Sequence, residues 1–254
     1  MATPNELFDL SGRVAVVTGG SRGLGEQMAR AFAAAGADVV IASRKLENCE
    51  AVASDIRRTT GRRAMPYQVH AGRWDEAEPF VEAVYREFGR CDVLVNNAGM
   101  SPLYDDIAGV TEAMFDSVVN LCFKGPFRIA VLFGERMRAA GGGSIINVSS
   151  TGSLRPPPQA VPYAGAKAAL NAITEGLAQL YGPQVRVNTL MPGSMRTDVS
   201  KAWDMPAAEA EAKRRTALQR IGEPPEIVGA ALLLATAAGS YMSGGIVRVD
   251  GGIP

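Results

Sequence analysis

The chain has 254 residues, of which 47% are hydrophobic and 20% charged, as in a folded globular protein that buries a large core. Its 26 basic and 26 acidic residues leave no formal net charge, so charge gives no reason to expect nucleic acid or a membrane surface as a partner. Residues 1–13 include acidic side chains and lack the apolar core of a signal peptide. We therefore expect a cytoplasmic protein whose partner is a small molecule.

Histidine and cysteine usage narrows the chemistry. His70 is the one histidine of the chain, which excludes a zinc site built on two histidines. Cys49, Cys91 and Cys122 are far apart in the sequence and form no CxxC motif. We expect no metal site, and reduced thiols that pack as small apolar groups.

Short runs rich in β-branched residues alternate with longer segments of helical periodicity. In chain order, the predicted strands are Val14–Thr18, Val39–Ala42, Met65–Val69, Val93–Val95, Ile145–Ser149, Val185–Leu190 and Ile246–Val249. The predicted helices run from Leu24 to Gly36, Leu46 to Thr60, Ala77 to Phe88, Met114 to Phe133, Pro162 to Leu177 and Ile227 to Ala238. This alternation predicts the α/β class, with a single doubly wound Rossmann domain over 1–254 and a seven-stranded parallel sheet that carries helices on both faces.

Two places depart from the regular alternation. The helix that begins near Met114 contains Gly125-Pro126, where we expect a kink or break because proline has no N–H for the helical ladder. The stretch 194–216 has no clear period and mixes charged residues with Trp203 and Met205. We predict that this stretch is a mobile lid over a site.

A glycine-rich turn follows the first strand. Residues 18–25 read TGGSRGLG, which places Gly19, Gly23 and Gly25 at the opening of the first helix. Glycines there allow backbone amides to approach a pyrophosphate, and the helix N-terminus adds a positive partial charge. The turn predicts a dinucleotide site, although its spacing differs from the general GxGxxG pattern.

Tyr163 and Lys167 are four residues apart in a predicted helix, so their side chains lie on one face, one turn apart. Ser150 comes at the end of the fifth predicted strand, and the carboxyl ends of strands face the ligand crevice in this architecture. The reduction of a ketone needs a proton for the developing alkoxide, and a tyrosine can donate it. We expect the Lys167 ammonium and an oxidised nicotinamide each to lower the pKa of Tyr163.

Together with TGxxxGxG at 18–25 and NNAG at 96–99, the Ser150, Tyr163 and Lys167 series resembles the classical short-chain dehydrogenase/reductase family, in particular its 3-oxoacyl-ACP reductase-like members. The resemblance implies an oxidoreductase that interconverts a ketone or aldehyde and an alcohol by hydride transfer. It makes Tyr163 the general acid/base, Ser150 a donor to the substrate oxygen and Lys167 a ligand of the cofactor ribose. Asn120 matches the fourth member of the catalytic set, which holds a water molecule.

The end of the second strand argues for NADP(H) over NAD(H). A site specific for NAD places a carboxylate there, about 20 residues after the glycines. This chain has Ala42-Ser43-Arg44 instead, and Arg44 with Arg22 is expected to grip a 2′-phosphate.

The remaining cofactor contacts are expected by resemblance. The full expected set is Gly19, Ser21, Arg22, Gly23, Leu24, Gly25, Ser43, Arg44, His70, Ala71, Asn97, Ala98, Gly99, Tyr163, Lys167, Pro192, Gly193, Met195 and Thr197. His70 stands where relatives usually have an aspartate that accepts a hydrogen bond from adenine. It could accept that bond only through an unprotonated ring nitrogen.

Two alternatives stay open at this point. Gly19 to Gly23 also reads GxSxG, the nucleophile elbow of a hydrolase, with Ser21 as nucleophile and His70 as the one available base. A regulator that binds NADP without turnover would need the glycine turn but not Tyr163. The sequence does not identify the substrate, and relatives lead us to expect a homotetramer or homodimer, with the apolar faces of the Met114 and Leu170 helices at the interface.

Overall fold

Seven parallel strands form one sheet in the computed structural model, which describes residues 3–197, 200 and 203–254. The strands are β1 (Val14–Thr18), β2 (Asp38–Ser43), β3 (Ala64–Gln68), β4 (Val93–Asn96), β5 (Gly143–Val148), β6 (Val185–Pro192) and β7 (Ile246–Val249). Their order across the sheet is β3-β2-β1-β4-β5-β6-β7. From β1 the chain adds β2 and β3 on one side, and then crosses to add β4 and the later strands on the other side. Ligands bind at such a switch point, beside the carboxyl ends of the strands.

Nine α-helices in the described part of the chain surround this sheet. They are α1 (Pro4–Leu7), α2 (Gly23–Ala34), α3 (Leu46–Thr60), α4 (Trp74–Phe88), α5 (Glu112–Val119), α6 (Gly125–Ala139), α7 (Val161–Tyr181), α8 (Met205–Arg215) and α9 (Val228–Ala235). Buried side chains of α2, α3 and α9 form the core on one face of the sheet, and those of α4, α6 and α7 form the core on the other. The doubly wound fold predicted from the sequence is confirmed.

The central strands are apolar on both sides because helices cover both faces of the sheet. All five residues of β1 are buried, with Ala15 and Val17 in one core and Val16 in the other. This alternation explains why the strand reads as a continuous apolar run. The predicted strands are correct within about two residues at each end. For example, β3 begins one residue before its predicted start, and β5 begins at Gly143, two residues before its predicted start.

A kink or break was predicted at Gly125-Pro126, but the helix over residues 112–139 continues there with a local change in its hydrogen bonding. Between α5 and α6, Asn120–Lys124 forms a π-helical segment in which the Gly125 N–H donates to the Asn120 carbonyl, five residues back. Pro126 lies in the first turn of α6, where no N–H is required. A Cβ on Gly125 would lie 1.8 Å from the Ala71 carbonyl oxygen, so the backbone of the neighbouring loop occupies the space where the turn widens.

The helical segment Glu112–Ala139 is long and apolar enough to cross a membrane, but half of its most apolar 18 residues are buried inside the fold. Its inward side chains, such as Ile129 and Phe133, belong to the core formed with α4 and α7. The run is therefore a packed layer of this domain.

Part of the stretch 194–216 is helical, although its sequence has no clear period. Met205–Arg215 is helix α8, and the Asp204 side chain caps it by accepting from the Ala207 N–H at 3.2 Å. The sequence carried the signal, an Asp N-cap followed by Pro206 in the first turn. The predicted lid also covers residues 198, 199, 201 and 202, which lie outside the described residues.

Candidate active site

A cleft of about 1160 Å³ opens at the carboxyl ends of the strands. Three groups of residues line it: the glycine turn after β1, the ends of β2, β4 and β6, and the Ser150, Tyr163 and Lys167 series. Of the expected site residues it includes Gly19, Ser21, Arg22, Gly23, Leu24, Ser43, Arg44, Ala71, Asn97, Ala98, Gly99, Ser150, Tyr163, Lys167, Pro192, Gly193, Met195 and Thr197. Gly25, His70 and Asn120 are not among the lining residues.

Two glycines of the turn have backbone angles that side chains disfavour, with φ of +65° at Gly19 and +56° at Gly23. Gly25 serves packing: a Cβ there would lie 2.3 Å from the Gly19 carbonyl oxygen, so only glycine lets α2 start this close to the turn. The Asn97 amide also binds the turn, donating to the Thr18 and Gly19 carbonyls at 3.0 and 3.2 Å. The turn is thus held in place by hydrogen bonds, and its glycines leave the backbone open to a ligand, which suits a pyrophosphate.

The end of β2 carries positive charge and no carboxylate among the described residues that line the cleft. Arg44 is exposed there, and Lys45 and Asn48, which the sequence analysis did not single out, line the same end. The hydroxyls of Ser21 and Ser43 are hydrogen-bonded at 2.9 Å, which joins the glycine turn to the β2 end. This end has the charge that a 2′-phosphate requires.

His70 does not face the cleft, although its neighbours Val69 and Ala71 do. Its Nδ1 accepts from the Gly72 N–H at 3.2 Å, and its own backbone N–H donates to the Glu76 carboxylate at 2.6 Å. The side chain therefore closes the turn after β3. His70 is not among the lining residues and its Nδ1 is engaged in its own turn, so the structure gives no support to the expectation that His70 reads adenine.

The end of β6 brings the second half of the expected cofactor set into the cleft. The Gly193 N–H donates to the Val249 carbonyl at 3.0 Å, which fastens the turn after Pro192 to β7. Thr197 lies beside the glycine turn, since a Cβ on Gly23 would be 3.7 Å from its side chain. The turn after β6 therefore faces the turn after β1 across the cleft.

Ser150 lies just beyond β5 and begins a 3-10 turn over Thr151–Ser153. Its Oγ accepts from the Gly152 N–H at 3.1 Å. The hydroxyl hydrogen stays available for donation into the cleft, because the turn amide uses only an acceptor position. Ser150 therefore caps a turn and keeps its hydroxyl hydrogen free for donation, close to Tyr163.

Tyr163 and Lys167 project from the first turns of α7, as their spacing predicts. The Lys167 ammonium is buried, donates to the Val148 carbonyl at 2.7 Å and lies 5.9 Å from the centre of the Tyr163 ring. Burial lowers the pKa of Lys167 and raises the pKa of Tyr163, while the hydrogen bond with Ser150 acts against the rise at Tyr163. Burial is the largest influence on the pKa of Tyr163, and Lys167 is not among the groups that shift it in the protein without cofactor.

Asn120 begins the π-helical segment and stands behind Leu121, which does line the cleft. Its carbonyl accepts from the Gly125 N–H. Single π-helical turns inside α-helices occur often at functional sites. The segment also places Cys122 close to Tyr163 and Lys167, since a Cβ on Gly99 would lie 3.6 Å from the Lys167 Nζ and 3.8 Å from the Cys122 Sγ.

The open end of the cleft is bounded by the loop after β4, the turn after Ser150 and α8. The Tyr104 hydroxyl joins the first two, donating to the Pro158 carbonyl at 2.7 Å and accepting from the Val161 N–H at 3.0 Å. Further lining residues here are Met100, Ser101, Leu103, Thr151, Arg155, Pro157, Gln159, Trp203, Asp204, Ala207, Ala208, Glu211 and Arg215. Both apolar and polar groups thus face the space beyond Ser150 and Tyr163.

The geometry does not support a hydrolase. The Ser21 hydroxyl is paired with Ser43, and His70 closes its own turn, so the two form no nucleophile and base pair among the described hydrogen bonds. The described residues also contain no group of three metal-ligating side chains.

Comparisons with known proteins find relatives over almost the whole chain. A family model described as enoyl-(acyl carrier protein) reductase matches residues 19–254. The chain is 33% identical to human dehydrogenase/reductase SDR family member 4, over 96% of this chain and 88% of that protein. It is 32% identical to the 3-oxoacyl-[acyl-carrier-protein] reductase FabG of Thermotoga maritima, over 96% of this chain and 98% of that protein.

Solved structures show the same likeness. The crystal structure of a gluconate 5-dehydrogenase from Burkholderia cenocepacia J2315, in complex with NADP and tartrate, is 30% identical and superposes with a TM-score of 0.93. The match covers 98% of both chains. With its Rossmann fold, glycine turn and Ser150, Tyr163 and Lys167 in one cleft, the chain belongs to the short-chain dehydrogenase/reductase family of oxidoreductases.

Proposed function

We propose that this protein is an NADP(H)-dependent oxidoreductase that interconverts a ketone or aldehyde and an alcohol, with Tyr163 as general acid/base. One observation carries the proposal: Ser150, Tyr163 and Lys167 line the same cleft as the glycine turn. A proton donor and a dinucleotide site in one cleft are what carbonyl reduction requires. A regulator that binds NADP without turnover would not need this set.

Each catalytic residue has a distinct task in this proposal. Bound NADPH supplies the hydride. Tyr163 donates its proton to the substrate oxygen as negative charge develops there, and Ser150 donates a second hydrogen bond to the same oxygen. Lys167 holds the ribose hydroxyls and supplies a positive charge beside the phenol.

Asn120 keeps the fourth role by resemblance, that of holding a water molecule near Lys167. Its support in the structure is the π-helical segment that it begins, which replaces the regular hydrogen-bond ladder beside the cleft.

The preference for NADP(H) over NAD(H) rests on Arg44, with Arg22 from the glycine turn. Arg44 is exposed at the end of β2, and no carboxylate lines the cleft at that end among the described residues. The complex of the Burkholderia relative with NADP supports the same choice. The buried free thiols of Cys49, Cys91 and Cys122 suit a reducing compartment, and we propose a cytoplasmic location.

The test is a panel of carbonyl compounds followed by NADPH absorbance, with the alcohols and NADP⁺ in the reverse direction. The panel holds aliphatic and cyclic ketones, 3-oxoacyl thioesters and sugar acids. We expect turnover with at least one class, faster with NADPH than with NADH. Ester hydrolysis without nicotinamide, or binding of NADPH with no turnover on any class, would refute the proposal.

A further inference from the structure

Side chains from three successive turns of helix α7 form hydrogen bonds to the end of β5 and to the 3-10 turn that follows it. Lys167 donates to the Val148 carbonyl, and Thr174 accepts from the Asn147 side chain at 2.9 Å. Between them Asn171 donates to the Ser153 hydroxyl at 2.9 Å. Residues four apart share a helix face, so Tyr163, Lys167 and Asn171 form one polar row facing the catalytic turn.

The Ser153 hydroxyl leads directly to Ser150. It donates to the Ser150 carbonyl at 2.7 Å. The same carbonyl oxygen also accepts from the Ser153 N–H at 2.9 Å. A hydroxyl has one hydrogen, so Ser153 can only accept from Asn171. This fixes the direction of the chain of bonds, from the Asn171 amide through the Ser153 hydroxyl to the Ser150 carbonyl.

Burial makes this chain of bonds costly to replace. Asn171 is 9% exposed, and its Oδ1 is buried without a partner among the described residues. A buried amide with one unpaired atom costs free energy, so Asn171 does not serve the stability of the helix alone. Its bond to Ser153 points to a second role.

We infer that Asn171 is a positioning residue, which acts through Ser153 to hold Ser150 at the angle from which it donates to the substrate oxygen. This inference rests on the proposed role of Ser150. Without the bond from Asn171, the Ser153 hydroxyl is free to turn away from the Ser150 carbonyl, and the 3-10 turn holds Ser150 less firmly in place. A small misplacement of a catalytic donor is enough to slow the reaction.

The test compares kcat and KM of four single variants and two double variants. Asn171→Ala and Ser153→Ala are each expected to lower kcat about tenfold, with the KM for NADPH unchanged, because only the orientation of Ser150 is affected. The double variant is expected to be no slower than either single one, since both break the same chain of bonds. Thr174→Val is the matched control: it removes a buried hydrogen bond one turn further along α7 and is expected to lower Tm but leave kcat unchanged.

A fourth variant tests the direction of the bonds. Asn171→Asp has nearly the same shape, but a carboxylate accepts only, so the Ser153 hydrogen is expected to turn away from the Ser150 carbonyl. Its kcat is expected to fall at least as far as that of Asn171→Ala, and adding Ser153→Ala is expected to cause no further loss. Wild-type kcat in Ser153→Ala, or in folded Asn171→Ala, overturns the inference. Absence of turnover in the unmodified protein would instead overturn the proposed function.

Discussion

Tyr163 and Lys167 share one face of α7 but lie in different surroundings. Both residues line the cleft, but the buried Lys167 ammonium donates to the Val148 carbonyl, whereas Tyr163 is only partly buried. Burial raises the pKa of Tyr163, so the phenol keeps its proton at neutral pH. A protonated tyrosine is the form that a reductase needs in its proton donor.

Replacing this proton donor is the most direct residue-level test. Tyr163→Phe is expected to lower kcat for carbonyl reduction by about two or more orders of magnitude, because it removes the acid but keeps the ring. Initial rates with saturating NADPH measure the loss. Tyr85→Phe is the control, since it removes a buried hydroxyl outside the cleft and is expected to keep full turnover. Near-normal kcat in Tyr163→Phe would exclude Tyr163 as the acid.

The two reaction directions are expected to respond differently to pH. The raised pKa of Tyr163 leaves almost all of the protein with the phenol below about pH 8, so reduction is expected to be flat over that range. Oxidation needs the phenolate, whose fraction grows about tenfold per pH unit below the pKa, so its rate is expected to rise with pH. Rates measured in both directions between about pH 6 and 8 check this, and a flat oxidation profile would contradict it.

Arg44 is expected to control the cofactor preference. Arg44→Ala is predicted to lower kcat/KM for NADPH roughly 10- to 100-fold, the loss of a charge-assisted hydrogen bond, and to leave kcat/KM for NADH nearly unchanged. Arg86→Ala, on α4 outside the cleft, serves as the control. Equal effects on the two cofactors would show that Arg44 does not contact the 2′-phosphate.

At the scale of elements, the π-helical segment between α5 and α6 depends on a contact that is distant in sequence. Gly125 packs against the backbone of Ala71 in the loop after β3, and no side chain fits between them. Leu121, within this segment, lines the cleft. The widened turn is therefore decided by the packing of two segments.

Adding a methyl group at this contact tests its importance. Gly125→Ala is expected to destabilise the fold by about 1–3 kcal/mol, because its Cβ would overlap the Ala71 carbonyl. Gly176→Ala, on the exposed face of α7 with open space around it, is expected to be neutral or to stabilise by about 0.5–1 kcal/mol. Urea unfolding measures both, and equal stabilities would mean that the contact is not tight.

At the scale of the whole molecule, the expected oligomer interface involves the apolar faces of the Met114 and Leu170 helices. Leu170 itself is fully buried, so such an interface would use other residues of its helix. The exposed apolar residues of the same two helices are Phe115, Val161 and Leu180. Contiguous patches of exposed apolar side chains mark contacts between chains, and we expect these three residues to contribute to such a patch.

A homodimer or homotetramer stays our prediction for the molecule in solution. Light scattering coupled to size exclusion is expected to give two or four times the mass of the chain. Leu180→Lys is expected to shift the distribution toward smaller species if α7 forms the interface. A monomer at all accessible concentrations would contradict the prediction.

The sequence by itself determined the alternation of strands and helices, because buried parallel strands and amphipathic helices have different apolar periods. It also determined which residues reach the cleft from the strand ends, such as Ser150 and Arg44, since parallel strands place their carboxyl ends at one edge of the sheet. The spacing of Tyr163 and Lys167 placed both on one helix face, which depends on local geometry alone.

Only the tertiary structure decided what depends on contacts between distant segments. His70 turns to its own loop, Gly25 packs under Gly19, and Asn171 reaches Ser150 through Ser153. The rise in the pKa of Tyr163 was likewise hidden, because desolvation depends on everything packed around the phenol. Periodicity shows which face of an element is buried, but the partner of each buried polar group is set by how the elements pack.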